Sequence, residues 1–216
     1  PQGTRSITAD RRDGSGFRKA IQAADTRWDA VIDCIGFEPE DAEQDVAVFS
    51  GLTRRLIFVS TDFVYHPEKR VFPQPEDPAC YMNEGYGRKK RLCEQHIIEN
   101  AVDAGIVWTV FRPNHIYGPG SRLGCLPAHG RDQELIGRIR RHEPLQLVGG
   151  GYFLQQPVFA PDLACLFLAS VEEPGAFNRV FNAPGPDTIQ SRDYYWMIAD
   201  ILGEPLHIQE IPVDFY

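Results

Sequence analysis

The chain has 216 residues, 43% hydrophobic and 24% charged, with a formal net charge of −8, a balance ordinary for a folded globular protein of one large domain or one domain and a small lobe. The acidic charge speaks against a basic nucleic-acid footprint and against an anionic membrane surface, and no apolar run approaches the ~20 residues of a spanning helix. The five cysteines (Cys34, Cys80, Cys93, Cys125, Cys165) form no C-x-x-C and the six histidines no H-x-x-x-H, so free thiols in a reducing cytoplasm and no metal site are expected.

The opening "PQGTRSITADRRDGSG" is polar, with no signal-peptide core. "SGFRKAIQAAD" then sets Phe17, Ile21 and Ala24 on one helical face. "WDAVIDCIG" is a short apolar run ending in Gly36, as a buried strand is. "PEDAEQDVAVFSG" predicts a helix with Pro39 near its start and Gly51 near its end. "RLIFVST" is a second buried strand, and "YGRKKRLCEQHIIENAVDAG" a long helix closed by Gly105. "IVWTVFRP" is a third strand, broken by Pro113. The loop after Pro113 is long and rich in glycine and proline, which favours a functional role. It leads to a helix in "QELIGRIRR", a strand in "LQLVG", a helix in "PDLACLFLASVEEPG", a strand in "RVFNAPG" and a helix in "SRDYYWMIADILG", with Ser191 as N-cap and Gly203 as stop.

Continuous apolar strands alternating with helices predict a parallel α/β sheet covered on both faces, and such sheets bind ligands beyond the carboxyl ends of their strands. Three ends bring short or polar residues to that edge: Cys34-Ile35-Gly36, Ser60-Thr61-Asp62 and Arg112-Pro113-Asn114. Each also fits a plain strand-ending turn. "YGRKK" adds Tyr86 and Lys90 at i, i+4, on one helix face that continues through Cys93, Ile97, Ala101 and Ala104. A lysine on an inward stripe must be desolvated or paired. A phenol is a poor base at neutral pH, and an ammonium one turn away stabilises the phenolate.

On these residues the chain resembles the extended short-chain dehydrogenases/reductases, the NAD-dependent epimerase/dehydratase family, as an atypical member. The resemblance implies a doubly wound, Rossmann-like parallel sheet, incomplete at the N-terminus, with a small C-terminal substrate lobe. The nucleotide-binding core would run over 1–118 and the lobe over 119–216, with 156–185 returning to the core. It implies NAD or NADP as cofactor. "ITADRRD" resembles the adenine-contacting segment, through Asp10 and the backbone of Arg11, and "VIDCIG" the strand end of Cys34, Ile35 and Gly36 that packs on the cofactor. "VSTDFVY" resembles the catalytic strand, with Thr61 holding the substrate oxygen; Tyr86 would move the proton, and Lys90 would tune Tyr86 and bind the nicotinamide ribose. "FRPNHIYGPG" implies Pro113 beside the nicotinamide, with Asn114 and His115 at the substrate and Asp62 near it. The partner implied is a small molecule, such as a nucleotide sugar, with neither nucleic acid nor membrane; a homodimer is allowed.

Several features depart from the family pattern. No G-x-x-G-x-x-G occurs, the stretch between Gly36 and Ser60 holds no asparagine, and Phe63 stands where a dehydratase carries glutamate after its Asp. The chain is expected to begin after the first two strands of the nucleotide-binding unit. The favoured expectation is an NAD(P)-dependent reductase or epimerase on a nucleotide sugar or similar keto/hydroxy substrate. The alternative is a non-catalytic nucleotide-binding relative acting as sensor, scaffold or RNA-associated factor.

Overall fold

The computed structural model describes residues 3–215, and from Gly14 to Pro113 helices and strands alternate. They are α1 (Gly14–Gln22), β1 (Val31–Asp33), α2 (Pro39–Phe49), β2 (Arg55–Val59), α3 (Gly85–Asn100) and β3 (Val107–Pro113). There follow β4 (Ile116–Tyr117), α4 (Leu135–Arg140), β5 (Leu145–Val148), β6 (Leu154–Gln155), β7 (Val158–Phe159) and α5 (Ala160–Ser170). The last are β8 (Arg179–Ala183), β9 (Ile189–Gln190), α6 (Ser191–Leu202) and β10 (Ile208–Ile211). Two units are distinguished, Pro1–Pro113 with Cys165–Asn182, and Asn114–Ala164 with Ala183–Tyr216.

In the first unit the strands stand in the order β1-β2-β3-β8, with β1 parallel to β2 and β2 parallel to β3. The predicted parallel α/β sheet is therefore present. Alternation along β2 and β3 divides their side chains between two faces. Leu56, Phe58, Trp108 and Val110 join Ala42, Val46 and Phe49 of α2 and Cys93 and Ile97 of α3 in one core. The opposite face carries Ile57, Thr109 and Phe111, and Phe111 packs on Phe167 of α5. Arg55 lies on this second face, 3% exposed. Its guanidinium donates to the carbonyls of Ser170 and Val171 and to Thr109 Oγ1, which ties the end of α5 to the sheet.

Local chemistry sets the helix ends. Asp13 caps α1 by accepting from Gly16 N, and a capping box of Glu38 and Asp41 precedes Pro39 at the start of α2. Two expectations need correcting. The long helix stops at Asn100, and Gly105 closes only the turns that follow, at a φ of 77°. The N-cap of α6 is Gln190, boxed with Asp193, and Ser191 is its first helical residue, its hydroxyl donating instead to Gly151 O. Gly203, at a φ of 69°, does end that helix in the left-handed conformation. The second unit is built on Leu135, Ile139, Leu145, Leu147, Tyr195 and Ala199, with β5 and β10 paired in parallel. Short strands β4, β6, β7 and β9 were not legible in the sequence, since two residues carry no periodicity.

One buried ion pair knits the first unit together. Glu94 of α3 is 0% exposed and Arg112 of β3 is 1% exposed. Two nitrogens of Arg112 bind the two carboxylate oxygens at 2.9 and 2.7 Å, the bidentate form that recovers most of the lost hydration. Ser60 Oγ donates to the same carboxylate at 2.5 Å. Arg112 also donates to the Tyr65 hydroxyl and to Glu76 O, and Tyr65 donates to Asn182 Oδ1. Burial works against the charge on Arg112, and the bonds and charge of Glu94 outweigh it, so its pKa moves up.

Removing one partner leaves a buried charge uncompensated. Arg112→Met is expected to cost about 3–5 kcal/mol, whereas the double variant Glu94→Met/Arg112→Met recovers most of that loss. Urea unfolding midpoints of the three proteins check it, and an Arg112→Met chain as stable as the parent would contradict it.

Candidate active site

The loop after β1 is held from below by an acid. Asp33, the last residue of β1, accepts from Ile35 N and Gly36 N at 2.8 and 2.9 Å. A Cβ at Gly36 would collide with that carboxyl and with the Phe58 ring, so glycine is required where the loop closes on the strand end. Cys34 is exposed and Ile35 is 62% exposed, while Gly36 itself is buried.

Lys90 reaches this loop from α3. It is 1% exposed, and its ammonium donates to Gly36 O at 2.6 Å and Val59 O at 2.7 Å. It also stands 4.1 Å from the centroid of the Phe58 ring and 5.5 Å from that of Phe37, distances at which an aromatic face attracts a cation. An ammonium has three N–H donors, so one is uncommitted among the described residues. Desolvation is the largest influence on Lys90 and lowers its pKa, against nearby acids that raise it.

The inward stripe of α3 runs through Gly87, Lys90, Glu94 and Ile97, with Cys93 beside it. Tyr86 stands at the margin of that stripe, 46% exposed, with the rings of Phe37 and Phe63 each 6.3 Å away. Thr61 is buried at the end of β2, where its Oγ1 accepts from Phe63 N at 3.2 Å and caps the turn Asp62–Val64. The carboxylate of Asp62 binds Arg70 at 3.0 Å, and its carbonyl accepts from the same guanidinium at 2.6 Å. Burial pushes the Asp62 carboxyl up, and Arg70 pulls it back in part. Pro113 is buried as the last residue of β3.

The N-terminal residues sit differently. Asp10 is exposed and accepts from Arg12 N. The Arg11 guanidinium is enclosed by three aspartates, Asp33 at 3.3 Å, Asp41 at 3.1 Å and Asp45 at 2.8 Å. One cation among three acids leaves excess negative charge in a buried place. The Oδ2 atoms of Asp33 and Asp45 are buried and lack a donor among the described residues. Burial first, then the charge of Asp33, pushes the Asp45 carboxyl up to about 8, so this acid holds a proton at neutral pH.

Asn114 and His115 belong to the second unit, half-buried. The His115 ring meets Tyr194 edge-on at 5.9 Å, and its Nε2 is buried with no partner among the described residues. Burial, and then Arg131, lower its pKa. Among the described residues no helix is long and apolar enough to cross a membrane, and no three His, Cys, Asp or Glu are grouped to hold a metal.

The structure thus brings Gly36, Lys90 and the end of β2 together and sets Tyr86 beside Phe63. Arg11 is linked to that cluster through Asp33, and through Asp41 to the backbone of Phe37. Sequence reasoning passed over Asp33, Phe37 and Glu94, and it placed Ser60 and Arg112 at strand ends and Phe63 after Asp62 without giving them a role in the site. An acid ending an apolar strand and another one turn beyond Lys90 were the available signals.

Comparison with known proteins agrees with this architecture. The sequence model of the NAD dependent epimerase/dehydratase family matches residues 7–183. A UDP-D-apiose/UDP-D-xylose synthase of Oryza sativa subsp. japonica is 26% identical over 200 residues, 76% of this chain and 50% of that protein. A chloroplast stem-loop binding protein of 41 kDa b of Arabidopsis thaliana is 25% identical over 179 residues, 83% of this chain and 43% of that protein. The chain spans about half the length of these curated relatives. The crystal structure of a Thermus thermophilus UDP-glucose 4-epimerase in complex with NAD has the same fold, with a TM-score of 0.73 at 17% identity over 98% of this chain and 73% of that one.

The raised Asp45 pKa carries a stability consequence. The folded value lies above the ~3.9 of an unfolded aspartate, so the folded state binds this proton more tightly. Its contribution is complete below the unfolded value and is lost as pH rises toward about 8. Asp45→Asn removes that decline, so the stability of the variant relative to the parent is expected to grow from acid to mildly alkaline pH. Urea midpoints of both proteins from acid to alkaline pH test this, and parallel curves would overturn it.

Proposed function

Because the chain belongs to the NAD dependent epimerase/dehydratase family, we propose that it is an NAD(P)-dependent reductase or epimerase acting on a nucleotide sugar or a similar keto/hydroxy substrate. The observation that carries this reading is the buried Lys90 ammonium, anchored on the carbonyls of Gly36 and Val59 one helical turn from Tyr86. Desolvating a lysine on two carbonyls is costly for a merely structural purpose. A methionine of similar length would fill the space.

In this reading Thr61 holds the reacting substrate oxygen and Tyr86 moves its proton. Lys90 favours the phenolate of Tyr86 by its charge. Its remaining N–H, with the glycine closure at Gly36, suits a ribose hydroxyl of a dinucleotide lying over the strand ends, so the residues present fit the cofactor. Cys34, Ile35 and Pro113 would line its path, with Asp10 and the Arg11 backbone toward the adenine. Hydride exchange with a substrate carbon is the chemistry that NAD or NADP supplies when bound. Asp62, Asn114 and His115 would contact the substrate. The committed bond of Asp62 to Arg70 and the aromatic side chain at Phe63 leave the turn Asp62–Val64 without an available acid–base pair, which favours hydride chemistry over loss of water.

A second reading is a non-catalytic relative, and the similarity to a stem-loop binding protein favours it. The net charge of −8 counts against phosphate-backbone binding, which rests on neutralising cations.

Tyr86→Phe keeps the ring and removes the transferable proton. Turnover is expected to fall by about 10²–10⁴-fold, with a melting temperature close to that of the parent. Lys90→Met is expected to weaken binding of NADH or NADPH and to move the pH–rate profile to higher pH, since Tyr86 loses the cation that lowers its pKa. Cofactor titration followed by tryptophan fluorescence, and pH–rate profiles of both variants, test the assignment. Unchanged rates for Tyr86→Phe would overturn its acid–base role, and a parent protein that neither binds NADH or NADPH nor turns over a nucleotide sugar would favour the second reading.

A further inference from the structure

Tyr86 lies in a row of half-open aromatic rings. The rings of Phe37 and Phe63 each lie 6.3 Å from its ring and are 49% and 48% exposed, beside 46% for Tyr86. Three large rings left open in one place mark a contact surface.

The placement of Phe63 is firmly built. Thr61 Oγ1 caps the turn that carries it, and Arg70 clamps Asp62 through both side chain and carbonyl. The Phe63 carbonyl lies so close to Gly87 of α3 that a Cβ there would collide with it. This close approach registers the turn on the helix that presents Tyr86. Phe37 is fixed in turn by its N–H, which donates to Asp41 Oδ2 at 2.8 Å, and its ring lies by the Lys90 ammonium. Three charges near the rings have partners, with one N–H of Lys90 left over among the described residues. Asp62 is held by Arg70, Glu38 by Lys89 at 2.8 Å, and Lys90 by two carbonyls.

Resting on the reading of Tyr86 as the acid–base residue, we infer that Phe37 and Phe63 form an aromatic shelf beside Tyr86 that selects substrates presenting an uncharged C–H face, as a neutral hexose ring does, over substrates presenting a carboxylate. The face of an aromatic ring carries a negative quadrupole, so it attracts polarised C–H groups and disfavours anions. A carboxylate set against the two phenylalanine rings also loses water to groups that donate no hydrogen bond. Phe63 is the specificity-determining member, since its ring serves no ammonium.

The test is calorimetric titration, with NAD present, using UDP-glucose and UDP-glucuronic acid as probes on the parent, Phe63→Ala, Phe63→Arg and Tyr86→Phe. The parent is expected to bind UDP-glucose at least about tenfold more tightly than UDP-glucuronic acid, and Phe63→Ala to weaken UDP-glucose by about tenfold. Phe63→Arg offers a carboxylate partner and is expected to erase the preference. The inference is overturned if Phe63→Ala binds UDP-glucose as the parent does, or if the parent binds the two alike or binds neither. The acid–base reading fails separately, through a Tyr86→Phe protein that binds UDP-glucose normally and still turns it over.

Discussion

A carboxylate with no access to water has to be answered by the groups around it, and Glu94 is answered from several segments at once. Arg112 reaches it from the end of β3, Ser60 from the end of β2, and Arg91 from its own helix. Each bond replaces hydration that burial removed, and leaving any of them unmade is costly. Geometry is therefore imposed on the sheet edge. The strand ends can sit at only one height relative to α3, because the fork of Arg112 and the hydroxyl of Ser60 must both meet one carboxylate. Through Tyr65 and Asn182 the same network fixes the segment after β2 and the edge of β8.

Two further charges, buried Lys90 and half-buried Arg11, gather at this edge and are balanced in different ways. Lys90 is balanced by dipoles, since carbonyl groups and ring faces surround it without full opposing charge. Its charge is therefore only partly offset, and its pKa falls. Arg11 is balanced in the opposite sense, with more carboxylates than it can neutralise, and the surplus is met by a proton on Asp45. Asp33 joins the two arrangements. Its Oδ1 meets Arg11 and also accepts from the loop whose Gly36 carbonyl receives Lys90. Buried charge is weak evidence for stability, and three such arrangements at one sheet edge are better explained by what that edge is proposed to do.

The edge also divides rigid parts from open ones. Thr61, Gly36 and Lys90 are buried and committed, whereas Cys34, Ile35, Phe37, Phe63 and Tyr86 are exposed above them. A buried, hydrogen-bonded floor beside accessible rings suits the binding role proposed for this edge, because groups that must keep their geometry are held by packing.

The amino-acid sequence by itself determined the order of helices and strands in the first unit, the parallel sheet and the burial of Lys90. Continuous apolar runs and a 3.6-residue stripe are local patterns, and each acts over a few neighbouring residues. The inward position of Lys90 was legible because Cys93, Ile97 and Ala101 extend the stripe it belongs to. The tertiary structure alone decided which charges meet. Nothing in "DRRD" announces that Arg11 will be enclosed by Asp33, Asp41 and Asp45, and nothing near Glu94 names Arg112, eighteen residues away. Those pairings depend on how three strand ends are brought side by side, and so does the placing of Phe37 and Phe63 beside Tyr86. The short strands β4, β6, β7 and β9 were equally out of reach, because at two residues each they exist only through the partner that packing supplies.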